Sequence, residues 1–209
     1  MTLAILGATG RTGRSLVKAA LEAGHSVRAL VRNMPSLDTQ NPHIEPVQGD
    51  ATDPASVDAV VQGADGVLCV IGHARDAPKD LLTKAARNLV NSMQKHGVQR
   101  LIYLTGAGVR FPEDQPRMPD RFIRAGLKLF APALLDDSIL AVDVIRNSAL
   151  DWTIVRGPML TQDPGSHQYR ADWVGGNVGT KAARETVAQF MLDELHAGTW
   201  VHKAPVVSD

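Results

Sequence analysis

Glycines recur at positions 7, 10 and 13 in the segment Gly7-Ala8-Thr9-Gly10-Arg11-Thr12-Gly13. The segment follows a short apolar run, Thr2 to Leu6, and opens a stretch of helical periodicity. In that setting each glycine has its own use. Gly7 permits a tight turn out of a strand, Gly10 leaves the backbone bare where a diphosphate would approach, and Gly13 lets a helix pack closely on the sheet. Free N–H groups at the helix start add partial positive charge. The chemistry expected at Gly7, Thr9, Gly10, Arg11, Thr12 and Gly13 is therefore the cradling of a dinucleotide diphosphate.

A second position selects the dinucleotide. Sites for NAD(H) place an acidic residue about 20 residues on, at the end of the second strand, to bind the ribose 2′-hydroxyl. Here that end reads Leu30-Val31-Arg32. Arg32 cannot accept a hydrogen bond from a hydroxyl, but it pairs readily with a 2′-phosphate. Arg11 is placed to approach the same phosphate, and Arg28 lies within the strand. The cofactor expected is NADP(H) in preference to NAD(H). Asp50, followed by Ala51, stands after a third apolar run. It either accepts from the adenine amino group or closes an Asx-turn or helix cap, and composition does not choose. Ligands of open parallel sheets lie at the strands' carboxyl ends. Ile71, Gly72 and His73 after the fourth run, and Thr105 and Gly106 at the end of the fifth, are further candidate contacts.

The elements that must carry these residues alternate. Strands are predicted at Thr2–Leu6, Ser26–Val31, Ile44–Gln48, Gly66–Ile71, Arg100–Thr105 and Trp152–Arg156. Helices are predicted over 11–23, 53–62, 80–96, 134–148 and 182–196, several closed by glycine or opened by a cap and proline. The fold class is α/β: a Rossmann-type, doubly wound, mostly parallel sheet with helices on both faces. Residues 1–209 read as one domain. The segment Phe111 to Pro132 is expected to be irregular because of its prolines, although Arg121 to Phe130 is amphipathic. It is open to reading as a lid over an acceptor site, an oligomer contact or a core helix. Residues 162–180 read as loop with one short strand near 169–173, and 200–207 as an edge strand.

The 209 residues carry no net charge and no block of like charge, so neither nucleic acid nor membrane is expected as a partner. No apolar run approaches membrane length, and no leader is read before the first strand, so a cytoplasmic location is expected. Cys69, the single cysteine, lies in an apolar run and reads as an inert thiol. Histidines are scattered singly, so no metal site is expected. A small-molecule acceptor and a monomer or small homo-oligomer complete the expectation.

Further segments extend the pattern: Ala4 to Gly13, Val31-Arg32, Gly49-Asp50, Ala86-Arg87-Asn88-Leu89-Val90, His96-Gly97-Val98, and Leu150 through Pro158. With these the chain resembles the atypical short-chain dehydrogenases of the NmrA-like and flavin/biliverdin-IXβ reductase group. The resemblance runs from Leu3 to Leu160. It implies that Arg32 holds the 2′-phosphate, that Asp50 and Ala51 read adenine, and that Gly157, Pro158, Met159 and Leu160 pass over the nicotinamide. An acceptor region is expected from about 111–132 and 157–181.

The chain departs from the wider pattern in its chemistry. Most short-chain dehydrogenases pair a catalytic tyrosine with a lysine four residues on. Here Tyr103 and Tyr169 are followed at that spacing by Ala107 and Trp173. Asp143 stands where relatives often have lysine, Thr105 replaces the usual serine, and Met159 replaces a histidine. A tyrosine proton donor is not expected. Thr105, Asp137, Asp143 and His73 are the candidate polar groups, each also readable as a surface or loop residue. Two functions are carried forward. One is an NADPH-dependent oxidoreductase acting on a planar conjugated acceptor such as a flavin or quinone. The other is an NADP(H)-binding redox sensor or regulator without turnover. An isomerase or epimerase is disfavoured by the missing tyrosine.

Overall fold

The computed structural model describes residues 1–34, 40–73, 77–165 and 168–209, apart from the side chain of Pro119. The strands are β1 (Thr2–Leu6), β2 (Ser26–Val31), β3 (Ile44–Gln48), β4 (Gly66–Cys69), β5 (Arg100–Gly106), β6 (Asp151–Gly157), β7 (Met159–Thr161), β8 (Arg170–Asp172), β9 (Lys181–Ala183) and β10 (Val206–Ser208). The helices are α1 (Arg11–Glu22), α2 (Pro54–Val61), α3 (Leu81–His96), α4 (Met118–Phe130), α5 (Pro132–Arg146) and α6 (Arg184–Ala197).

Eight strands form one sheet in the order β3-β2-β1-β4-β5-β6-β10-β8, parallel except for β8. Alternation along the strands splits the core in two. Ala4, Leu6, Val67, Cys69, Leu101 and Tyr103 meet α2, α3 and α5 on one face. Leu3, Ile5, Leu68, Val70 and Ile102 meet α1 and α6 on the other. Both faces are covered, as the near-continuous apolar runs require. Local signals set the ends. Asp53 caps α2 by accepting from Ser56 N at 2.9 Å, with Pro54 in the first turn. Gly97, in the left-handed region, stops α3.

Three expectations need correction. The segment 111–132 is not irregular, because 118–130 form α4. Its prolines sit where they do not interrupt hydrogen bonds, with Pro119 in the first turn of α4 and Pro132 opening α5. The tail is not an edge strand. β10 is interior, hydrogen-bonded to β6 and to β8, and β8 takes the edge. Residues 159–161, for which no strand was expected, pair with β9 in a small separate sheet. Part of the loop expected over 162–180, at 166–167, lies outside the described residues. No helix among the described residues is long and apolar enough to cross a membrane.

Candidate functional site

The glycine turn is shaped by close approach of backbone. Gly7 has φ +87°, and a Cβ there would lie 2.9 Å from Ile71 N and from the Val70 carbonyl. A Cβ on Gly13 would lie 2.0 Å from Gly7 O, so only glycine lets α1 seat against β1. Gly10 differs. Its Cβ would meet only Gly7 O at 3.2 Å and would otherwise project into open space. Gly10 is also the N-cap of α1 and offers no side-chain cap, which leaves first-turn N–H groups available to a ligand.

That bare surface borders a cleft of about 670 Å³ at the carboxyl ends of β1, β2 and β4. Thr9, Arg11 and Thr12 of the turn line it beside Gly7 and Gly10. Arg32, Asp50, Ala51 and Thr52 line one end, and Ile71, Gly72 and His73 line the floor after β4. Leu160 and Arg184 also line it. Arg28 points elsewhere, paired with Glu45 at 2.9 Å. Asp50 Oδ1 accepts from Thr52 N at 2.7 Å and Thr52 Oγ1 at 2.6 Å, an Asx-turn, and its carboxyl still borders the cleft. The Thr52 hydroxyl and N–H, helped by Arg32, hold that carboxyl below its ordinary range.

Other candidates stand outside the lining. Gly13 is buried behind the turn. Thr105 is half-buried at the end of β5, and Gly106 pairs in register with Gly157. Pro158 is half-buried and Met159 is exposed, while Leu160 folds back so that a Cβ on Gly157 would lie 2.9 Å from it. Asp143 is exposed, 3.8 Å from Arg146, and the structure does not bring it to the cleft. Among the described residues, nothing from 111–132 lines the cleft, and from 157–181 Leu160 alone does.

Asp137 has a defined role in the fold. It is buried and accepts from Leu82 N at 2.8 Å, Thr83 N at 3.0 Å and Thr83 Oγ1 at 2.6 Å. It thereby caps α3, whose own N-cap residue Asp80 makes no side-chain cap. Its Oδ2 also lies 2.8 Å from His73 Nε2. Burial pushes the Asp137 carboxyl up, but the donors, Thr83 first, outweigh it and hold the group below the ordinary carboxylate range. An ionised Asp137 can only accept, so it fixes the His73 ring and leaves Nδ1 as the ring nitrogen free for other partners.

Neither tyrosine reaches the site. Tyr103 is buried in the core, and burial pushes its phenol well above its ordinary value. Tyr169 donates to Asp193 at 3.0 Å and is pushed to about 12 by burial and that carboxylate. Cys69 is buried and likewise pushed up to about 12, as expected of an inert thiol.

Two features escaped sequence reasoning. Arg184, at the start of α6, lines the cleft and donates to Thr161 O at 2.7 Å. Burial, then the charge of Arg11, lowers its pKa. Arg156, fully buried on β6, grips Asp114 through two bonds of 2.8 Å and donates to the Val109 and Ala204 carbonyls. Asp114 also accepts from Phe111 N and Val174 N, so one ion pair ties the loops after β5 and β8 to β6. Spacing gives no sign of either, because the partners are far apart in sequence.

Residues 7–197 match the family model described as NAD(P)H-binding, and the chain belongs to that family. The chain is 25% identical over 214 residues to the uncharacterised protein YwnB of Bacillus subtilis, covering 93% of this chain and 92% of YwnB. Another curated relative is longer: the chain spans 59% of an uncharacterised chloroplastic protein of Arabidopsis thaliana, at 28% identity over 77% of its own length. Among solved structures, a short-chain dehydrogenase/reductase of Veillonella parvula in complex with NADP has a TM-score of 0.83 at 19% identity, covering 100% of this chain and 94% of that one. ChuY of Escherichia coli O157:H7, an anaerobilin reductase, has a TM-score of 0.80 at 19% identity, covering 100% and 97%. These likenesses establish the Rossmann-like fold.

Proposed function

We propose that the chain is an NADPH-dependent oxidoreductase that reduces a planar, conjugated small molecule such as a flavin or quinone. The observation that carries this reading is the open face of Gly10 in a cleft where Arg32, and no acidic residue, ends β2. The NADP complex of the Veillonella structure and the anaerobilin reductase activity of ChuY are consistent with it. When bound, a nicotinamide cofactor supplies the two-electron reduction.

The chain's own residues bind, orient and protonate. Thr9, Gly10, Thr12 and the α1 N-terminus hold the diphosphate, with Arg184 also lining the cleft. Arg32 and Arg11 hold the 2′-phosphate. Asp50 and Ala51 border adenine, and Gly72 and Leu160 border the nicotinamide end, with Thr105, Gly106 and Gly157 to Met159 beyond the cleft lining where a bound nicotinamide would have to extend. His73, steadied by Asp137, is the cleft group able to carry a proton. The test is to mix purified protein with NADPH and either FMN or a quinone and follow the nicotinamide absorbance. Acceptor-dependent loss of NADPH supports the reading.

The second reading is a redox sensor, favoured by one observation: both tyrosines are engaged away from the cleft. Tight NADPH binding with no acceptor-dependent oxidation would select it.

A further inference from the structure

Helix α4 is amphipathic in the reverse sense. A surface helix ordinarily turns its apolar stripe to the core. Here Arg124 Nε donates inward to Gly108 O at 3.1 Å, and Leu127 is the apolar side chain that packs there, 2.8 Å from where a Cβ on Gly108 would be. The remaining large apolar residues face outward: Met118 is 60% exposed, Phe122 70%, Ile123 56%, Leu129 74% and Phe130 85%. At 100° per residue Met118, Phe122 and Leu129 share one stripe, and Ile123 and Phe130 share a second roughly a quarter turn round the helix. An apolar patch of this kind on a described surface calls for a covering partner.

Charge indicates which partner. Arg117, Arg121 and Lys128 are exposed on the same segment. The single acid within 117–130, Asp120, is turned back to accept from Arg117 N at 2.8 Å. A second copy packed helix to helix across this face would set these cations against their own equivalents, with Asp120, already bonded at the helix start, the one carboxylate on the helix to answer them. An anionic bilayer answers both features, because apolar side chains enter the acyl boundary while long cations reach the headgroups. At 13 residues α4 is too short to span and would lie in the plane of the interface. The zero net charge of the whole chain averages this local excess away.

We propose that α4 docks the protein on an anionic lipid surface through Phe122, Leu129 and Phe130, flanked by Arg121 and Lys128. The test is co-sedimentation of the full chain with vesicles of phosphatidylcholine alone or mixed equally with phosphatidylglycerol. Binding is expected to the mixed vesicles only, and added salt should weaken it. Phe122→Ser combined with Phe130→Ser should lower the bound fraction roughly tenfold or more. Arg121→Gln and Lys128→Gln should each lower it roughly fivefold. All four residues are exposed, so thermal melting should not change, and an altered melt would show that the loss of binding is indirect and count against the docking face. Three outcomes overturn the proposal: no sedimentation with either vesicle, equal binding to both, or a dimer that the paired serine substitutions dissociate. No turnover is required, so failure here leaves the reductase reading untouched.

Discussion

The glycine turn and the α4 region lie at the same end of the sheet and are built on opposite plans. The turn is defined by backbone against backbone, with added Cβ atoms at Gly7 and Gly13 meeting main chain at 2.9 and 2.0 Å. The segment leading into α4 is tied down by side chains, chiefly Asp114 on Arg156. Backbone contacts of that kind tolerate almost no substitution. Side-chain anchoring leaves the outer surface free to vary.

The comparison breaks most sharply at Gly10. Gly10→Val should project a branched side chain into the cleft and weaken NADPH binding by roughly a hundredfold or more, about 2.7 kcal/mol or above. The fold should survive, since only Gly7 O lies near. Gly13→Ala should do the reverse and lower stability at once. Calorimetry and thermal melting on both variants check the pair, and normal NADPH binding by Gly10→Val would remove the turn from the site.

On the side-chain plan, Asp114→Ala leaves the Arg156 guanidinium buried without its carboxylate. The expected loss is about 3–5 kcal/mol in urea unfolding at neutral pH. Burial raises the Asp114 carboxyl, but the Arg156 bonds and backbone donors prevail and its folded pKa is lowered. Its contribution is therefore full above the ordinary carboxylate pKa and is lost as pH falls through the folded value. The gap between wild type and variant should narrow in acid, and a gap independent of pH would show that the ion pair is not its source.

Arg32→Ala should cost NADPH about 1.5–3 kcal/mol, roughly a tenfold to hundredfold loss, and leave NADH nearly unchanged. Equal losses for both in a titration would refute the 2′-phosphate assignment. A smaller effect is expected at Thr105, and the smallest at the tyrosines. Thr105→Val should lower turnover by about twofold to twelvefold, the worth of one neutral hydrogen bond. Tyr103→Phe and Tyr169→Phe should each retain most activity. A loss of several orders of magnitude in either, with NADPH still bound, would reveal a tyrosine acid after all.

Legibility in the sequence followed range of interaction. β1 to β6 and the glycine turn were readable because period and spacing are local, and the family match and the sheet order agree with that reading. β7 and β9, three residues each, are too short to show a period. α4 was hidden by prolines that lie at helix starts. The grip of Asp137 on Leu82 crosses 55 positions, and that of Asp114 on Arg156 crosses 42. Arg184 reaches the cleft only because α6 begins beside β7. No spacing rule encodes contacts of this sort.

Arg11 and Arg184 both border the cleft, and the charge of one depresses the pKa of the other. Two cations held near one another by the fold should make a small anion a stabilising solute, whether or not it belongs to a cofactor. The buffer is then expected to be a thermodynamic variable of this protein. Unfolding curves recorded in phosphate or sulfate should lie above those in chloride, and a dinucleotide affinity measured in phosphate should be weakened by competition.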